Sequence, residues 1–448
     1  MITVTQITPD TPANLPAELE RLQAQLRQQR AELDWLNARL RRLASVHPGP
    51  NPRILIVGGG YAGVTTAVNL REIAGSGAQV TLINRNRYHY LTTLLHQPAV
   101  GTADHREVTI ELPALLGKRI ELIQGELTAI DPRRQSLQVQ VAGEARELEY
   151  DYLVIALGFE PQFYGIPVLA EHALTLKDLN QAQLIKNRIE RELIAYNEHP
   201  QEEWHTQIIV GGGAFTGVEL AGELADMRPV WERAFHLKPG QIGITLVEGA
   251  PTILALCEER LVRYATRILE KKGVSLITGT RINRVERDCI QLDDGQRLAG
   301  GVLIWTGGIR GHHLVEESGF QVNPQGRAKI DEAMRATGFP NVFIIGDASL
   351  AHDSQGQPLP PTAQVAVIQG ETTATNIKRI LRGRSPQGCH PQLMGTFVSL
   401  GGKDALGVIQ NRYRFTGLVA RLLKRLTFYH YLYRIGGLRL ARSRLGRF

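Results

Sequence analysis

The hydrophobic pattern of this chain repeats one arrangement twice. Arg53-Ile54-Leu55-Ile56-Val57 is an unbroken apolar, β-branched run, which predicts a strand buried on both faces. Gly58-Gly59-Gly60-Tyr61-Ala62-Gly63 follows directly. Val64 to Arg71 then carries a helical pattern, and Val80-Thr81-Leu82-Ile83 reads as the next strand. The same order returns with the strand Ile208-Ile209-Val210 and the turn Gly211-Gly212-Gly213-Ala214-Phe215-Thr216-Gly217. A helix over Val218 to Met227 and the strand Ile244-Thr245-Leu246-Val247, closed by Glu248, complete it. An internal repeat of strand, glycine turn, helix and strand predicts an α/β fold with two Rossmann-like dinucleotide-binding domains.

Two further segments lie outside this repeat. Leu15, Leu19, Leu22, Leu26, Leu33, Leu36, Leu40 and Leu43 follow steps of four and three, with Gln29 in the one missing slot. That stripe predicts an N-terminal helix, either a short coiled coil that pairs subunits into a homodimer or a helix packed on the chain's own body. His47-Pro48-Gly49-Pro50-Asn51-Pro52 ends it as a linker. At the other end, Phe415 to Ile435 reads as a helix. Leu418, Leu422, Leu423, Leu426, Tyr429 and Leu432 stand among Arg421, Lys424, Arg425 and Arg434.

Glycine at these turns points to phosphates. Gly58 permits the tight turn, Gly60 lets backbone approach a pyrophosphate, and Gly63 lets helix lie close to strand. The helix N-terminus, over Tyr61 and Ala62, then offers unpaired N–H groups and a partial positive charge. In the second unit the register is Gly212-x-Ala214-x-x-Gly217, with a methyl group where the first has glycine. Gly213, Phe215 and Thr216 fill the intervening positions. After the second strand such a site places a residue on the ribose hydroxyls. Asn84 stands there in the first unit and Glu248 in the second. A carboxylate accepts from a 2′-hydroxyl and repels a 2′-phosphate, so Glu248 predicts NADH over NADPH.

Charge and cysteine narrow the chemistry. The net charge is +7, and positions 411–448 hold ten Lys/Arg and no Asp/Glu. The rest of the chain therefore carries 51 − 10 = 41 basic and 44 acidic residues, so the positive excess lies in the tail. An amphipathic basic helix suits an anionic membrane surface without spanning it. No nucleic-acid motif accompanies the charge, so no nucleic acid is expected. No run of apolar residues is long enough for a spanning helix, and no secretion signal is evident at the start. Cys257, Cys289 and Cys389 are scattered without a CxxC pair, so neither a metal site nor a redox dithiol is expected.

The chain resembles the type II NADH dehydrogenases, most closely the Gram-positive kind, within the two-dinucleotide-domain flavoprotein superfamily. The resemblance covers Arg53 to Phe448. Val80 to Tyr90, Asp151 to Gly158, Trp305-Thr306-Gly307-Gly308-Ile309-Arg310-Gly311-His312 and Asn341 to Asp347 carry it. Pro360 to Ala366 and Ser399-Leu400-Gly401-Gly402-Lys403 complete the set. It implies an FAD domain at 51–168 and 309–390, with an NADH domain at 169–308 inserted. A membrane-surface segment at 391–448 and the N-terminal helix and linker at 1–50 flank these. Ala156, Gly158, Gly346, Asp347 and Ala366 are implied at FAD, with Asp347 on a ribityl hydroxyl. Thr306, Gly307 and Gly308 are implied at NADH.

The resemblance also implies an activity. NADH would reduce FAD, and a membrane quinone would receive the electrons without ion pumping. The protein would sit peripherally on the cytoplasmic face of the cell membrane. Glu219 is implied beside nicotinamide and flavin, and Gln364 and Lys403 beside the flavin ring and the quinone head. One position departs from the family's Ala-Gln-x-Ala-x-Gln-Gln-Gly, because Ile368 replaces the first glutamine of the pair. An apolar residue there opens an alternative, a flavin-bearing NADH sensor or assembly protein with little quinone turnover.

Overall fold

The computed structural model describes residues 20, 22–30, 51–353, 355–410 and 412–445. They fall in two compact units, Met1–Gly49 and Pro50–Phe448. In the first, residues 22–30 are helical, and Leu22 and Leu26 of the leucine stripe are exposed. The other leucines of the stripe lie outside the described residues.

The second unit opens with β1 (Arg53–Val57), α1 (Tyr61–Leu70), β2 (Gln79–Asn84) and β3 (Tyr88–Tyr90), followed by β4 (Glu121–Gln124) and β5 (Tyr152–Ile155). The chain then builds β6 (Leu174–Thr175), β7 (Gln207–Gly211), α2 (Phe215–Ala234), β8 (Gly243–Glu248), β9 (Val274–Thr278) and β10 (Val302–Trp305). It returns through β11 (Arg335–Ala336), β12 (Phe339–Ile344) and α3 (Ala363–Leu381). The first sheet has the order β11-β12-β5-β1-β2-β4, and the second β6-β10-β7-β8-β9. Strand β1 pairs parallel with β2 on one side and β5 on the other, and β7 does the same with β8 and β10. In both sheets the first strand of the repeat sits where the connections diverge, the place where α/β sheets bind ligands at their carboxyl edge.

Burial explains the unbroken apolar runs. Ile54 and Ile56 enter one core cluster and Leu55 and Val57 another, on the opposite face. Ile208 and Val210 are likewise separated from Ile209. Each repeat helix begins three residues before the apolar pattern announces it, because the extended backbone of Gly60 and Ala214 starts the helix at once. Helix α2 also runs past Met227, through Pro229. Buried Trp231 and Glu232 hold its last turns, and the Glu232 carboxylate accepts N–H groups from Gly240 and Ile242.

After α3, an antiparallel sheet of β13 (Gly395–Ser399), β14 (Ala405–Ile409) and β15 (Tyr413–Thr416) leads into α4 (Gly417–Ser443), which breaks at Gly437 (φ 67°). The sequence suggested one apolar and one basic side for this helix. The structure instead gives it two apolar faces. Ala420, Phe428, Tyr431, Leu432 and Ile435 are buried, and the last four pack into the same core as Ile54. Leu418, Val419, Leu422, Leu426 and Tyr433 are exposed. Tyr431 is therefore a core residue, while Tyr433, two positions on, is exposed. Several basic groups are also engaged: Lys424 with Glu219, Arg434 with Glu371, Arg414 with Glu258, and Arg444 with backbone carbonyls of residues 106, 107 and 109. No helix among the described residues is long and apolar enough to cross a membrane.

Candidate active site

The two glycine turns are built alike, position by position. At Gly58 (φ 104°) a Cβ would fall 2.2 Å from the Ala156 carbonyl oxygen, and at Gly63 1.9 Å from that of Gly58. At Gly212 (φ 106°) a Cβ would fall 2.5 Å from Gly307 Cα, and at Gly217 1.8 Å from the Gly212 carbonyl oxygen. These four positions accept only glycine. A Cβ at Gly60 would meet nothing within 4 Å, so the face of the first turn there is open. Ala214, its counterpart, is exposed. The methyl group therefore disturbs no protein packing.

The residues that close β2 and β8 brace these turns. Asn84 Oδ1 accepts the Gly59 N–H at 2.8 Å. Glu248 does the same for Gly213, and its other oxygen accepts the Ala250 N–H at 2.7 Å. Thr306 adds a brace in the second cradle, donating its hydroxyl to the carbonyls of Gly211 and Gly212. Gly158 (φ 74°) follows Ala156 out of β5, and a Cβ on Gly308 would collide with the exposed Tyr164.

The wall of the first cradle comes from the end of β12. Gly346 (φ 70°) turns so that its open side lies 3.4 Å from Ala62 Cβ and 3.9 Å from Ala366 Cβ, joining α1 to the start of α3. Gln369, fully buried, accepts the Gly346 N–H at 2.6 Å and donates to Ser349 Oγ at 3.2 Å. Burial raises the Asp347 carboxyl to about 6, against the pull of Arg327. A buried acid of that kind gains from any group that brings it a hydroxyl donor.

A buried polar cluster surrounds Glu219. This residue lies in the second turn of α2, so it is not the first-turn acid that a helix dipole alone would favour. Gly222, one turn on, carries no side chain, and a Cβ there would fall 2.5 Å from Leu400. That close approach seats Ser399 on Glu219, with its N–H donating to Oε1 at 3.0 Å. Lys424, reaching in from α4, donates to the same carboxylate and to Ser399 Oγ. His96 Nδ1 stands 3.6 Å from Glu219 Oε2. Burial would raise the Glu219 pKa, but the Lys424 ammonium, His96 and the hydrogen bonds outweigh it and hold the group below its ordinary value. Burial lowers His96 to about 4, so it is neutral near pH 7.

The lysine that meets Glu219 is thus Lys424, while Lys403 is exposed. Its neighbours Gly401 and Gly402 hold that loop on α2, where the Gly402 N–H donates to Asp226. Gln364 and Ile368, both half-buried, lie one turn apart on α3. Glu219, Asp347, Gln364 and the two turns were named from sequence. Lys424, His96, Ser399 and Gln369 were not assigned, though Ser399 and Gln369 lie in or beside segments that carried the resemblance.

Two buried histidines predict an acid limit to stability. His89 and His96 are each lowered from 6.5 to about 4 by burial. The folded state then binds fewer protons than the unfolded state between pH 6.5 and 4, so stability falls as pH drops through that window. Each histidine should remove about 2 kcal/mol between pH 7 and 5. Asp347, raised to about 6, acts oppositely and should restore about 1 kcal/mol. Urea unfolding at the two pH values measures the net loss, and equal stability at both would refute this account.

Burial raises the pKa of all three cysteines, the opposite of what a redox thiolate needs. The family model for pyridine nucleotide-disulphide oxidoreductases matches residues 52–370. Proteins named type II NADH:quinone oxidoreductase from Staphylococcus epidermidis and Staphylococcus aureus are each 34% identical over 396 residues, covering 87% of this chain and 97% of theirs. Among solved structures, NDH2 from Plasmodium falciparum in complex with NADH superposes with a TM-score of 0.77 at 17% identity, over 89% of this chain and 99% of that one. The sulfide:quinone oxidoreductase of Aquifex aeolicus follows at 0.70 and 19%, over 86% and 91%.

Proposed function

The chain belongs to the pyridine nucleotide-disulphide oxidoreductases and, within them, to the type II NADH:quinone oxidoreductases, and from that membership we propose that FAD occupies the first cradle and NADH the second. The observation that carries the reading is the paired construction of the cradles. Each has an open N-terminal helix edge, a glycine turn fixed by its neighbours, and a bracing side chain at the end of the second strand. Bound FAD would accept a hydride from NADH and pass two electrons to quinone.

The residues divide the remaining work. The turns at Gly58, Gly60 and Gly63, and at Gly212, Ala214 and Gly217, present N–H groups to the two pyrophosphates. Asp347 would accept a ribityl hydroxyl, which offsets the desolvation that raises its pKa. Glu248, between two backbone N–H donors, keeps lone pairs for a ribose hydroxyl and places negative charge where NADPH would carry its phosphate. Glu219 and Lys424 form a charged pair, beside neutral His96, that would orient substrate and offer the Glu219 carboxylate as a proton acceptor. Domain limits of 51–168 with 309–390, and 169–308, belong to the same proposal, supported by the division of the strands between two sheets. The exposed apolar row of α4, with Arg421 and Arg425 beside it, would dock 391–448 on the cytoplasmic face of the membrane.

Stopped-flow mixing tests the reading in two halves. NADH should bleach the bound flavin faster than NADPH does, and a ubiquinone or menaquinone analogue should restore it. A flavin that NADH reduces and neither quinone reoxidises would leave the sensor alternative standing. Preparations that contain no flavin and take up none would remove the FAD assignment itself.

A further inference from the structure

We propose that His89 is a positioning residue of the first cradle, and that Tyr431 on the C-terminal helix fixes the tautomer in which it acts. This rests on the first cradle being the FAD site. His89, on β3, has no exposed surface. Its Nδ1 lies 2.8 Å from the Gly59 carbonyl oxygen, and its Nε2 2.9 Å from the Tyr431 hydroxyl. A carbonyl oxygen only accepts, so Nδ1 carries the proton. In a neutral imidazole Nε2 is then bare and accepts from Tyr431. Burial lowers His89 to about 4 and raises Tyr431 well above its ordinary value, which keeps both in these forms near pH 7.

The Gly59 carbonyl shares a peptide plane with the Gly60 N–H, and in a trans peptide the two point in opposite directions. No peptide bond of the described residues is cis. Holding the carbonyl on His89 therefore aims the Gly60 N–H away from His89, at the open edge of the turn. A donor polarised from behind is also a stronger donor. The neighbouring peptide is held too, since Asn84 takes the Gly59 N–H. Tyr61, the first residue of α1, closes the cluster. Its ring meets His89 edge-on at 5.3 Å and Tyr431 at 4.7 Å, and its hydroxyl lies 2.9 Å from Thr93 Oγ1.

The second cradle also anchors this carbonyl. Gly213 is the counterpart of Gly59, and its carbonyl accepts the Leu254 N–H at 2.8 Å. There the anchor is a backbone amide of the same domain. In the first cradle a side chain replaces it, and that side chain depends on a helix nearly 350 residues away, since Tyr431 and His89 are 342 positions apart. Seating of the C-terminal helix and retention of the flavin are thereby linked.

The test compares Y431F, H89N and H89L in the full chain. Asn places its amide near the Nδ1 position and keeps the bond to Gly59 while losing Tyr431, and Leu loses both. The dissociation constant for FAD, from recovery of free-flavin fluorescence, should rise about fivefold in Y431F and H89N, the size of one ordinary hydrogen bond, and at least tenfold in H89L. The affinity for NAD⁺, which reads the second cradle, should stay at the wild-type value. FAD affinity unchanged in Y431F and H89N overturns the proposal, as does a parallel loss of FAD and NAD⁺ affinity, which marks general loosening. Should H89L fail to fold, the other two variants decide. A wild-type protein that binds no FAD would instead sink the proposed function.

Discussion

Replacing Lys424 with methionine is expected to slow quinone-dependent turnover by about 100-fold at pH 7, the scale of losing one preorganised charged donor. Lys424 and Glu219 each keep only 11% of their side-chain surface exposed. Methionine retains the length and apolar stem but leaves the carboxylate facing burial without its cation. Breaking such a pair destabilises a protein by about 3 kcal/mol, unless the orphaned group changes its protonation state. Glu219 can do so. Its pKa now lies below the ordinary value because Lys424, His96 and the hydrogen bonds together outweigh burial. Without Lys424, burial dominates and the pKa rises, so the carboxylate form appears only at higher pH. The pH profile should therefore shift upward and part of the lost rate should return in alkaline buffer. E219Q with K424M should be no less stable than K424M alone, since the double change leaves no buried orphan charge. A profile that keeps its wild-type midpoint would show that the pair does not set the protonation state of the site.

What could be read from the sequence, and what could not, follows from the range of the interaction involved. The turns were legible because their requirements are local. Gly58 and Gly212 need positive φ, and Gly63 and Gly217 need the space beside the preceding turn, all within six residues. Asn84 and Glu248 were legible as strand-end residues, but their structural duty of holding the N–H of Gly59 and Gly213 was not, since it depends on parallel pairing of strands 25 and 35 residues apart. The Glu219 cluster draws on α2, β13, α4 and the helix at His96–Val100, and no periodicity in one segment reports on the other three. That is why Lys403 drew attention and Lys424 did not. Lys403 closes a segment that carries the family resemblance, whereas a lysine among leucines and arginines looks like one more member of a basic face. The distinction is made by which side of α4 meets the core, and the sequence pattern is ambiguous there because both sides are apolar.

That same duality decides how membrane docking should be examined. Removing everything after Gln410 would take away Phe428, Tyr431, Leu432 and Ile435 from the core and Lys424 from Glu219, so loss of binding would report on folding. Changing Leu418, Leu422 and Leu426 together to aspartate acts on the outer face alone, where these side chains are 61%, 49% and 59% exposed. Roughly half of each leucine remains to be buried in lipid, worth about 1 kcal/mol apiece, and the new charges oppose an anionic surface. Recovery on anionic vesicles should fall at least 100-fold, while the melting temperature moves by no more than about 2 °C, as for other surface substitutions. On uncharged vesicles the wild-type protein should bind more weakly, but the difference should be smaller than ten basic residues would give. Lys424, Arg414, Arg434 and Arg444 are already bound within the fold, which leaves Arg412, Arg421, Arg425, Arg439 and Arg442 of the described tail to meet lipid headgroups. Undiminished recovery of the triple variant would mean that the apolar row is not the docking surface.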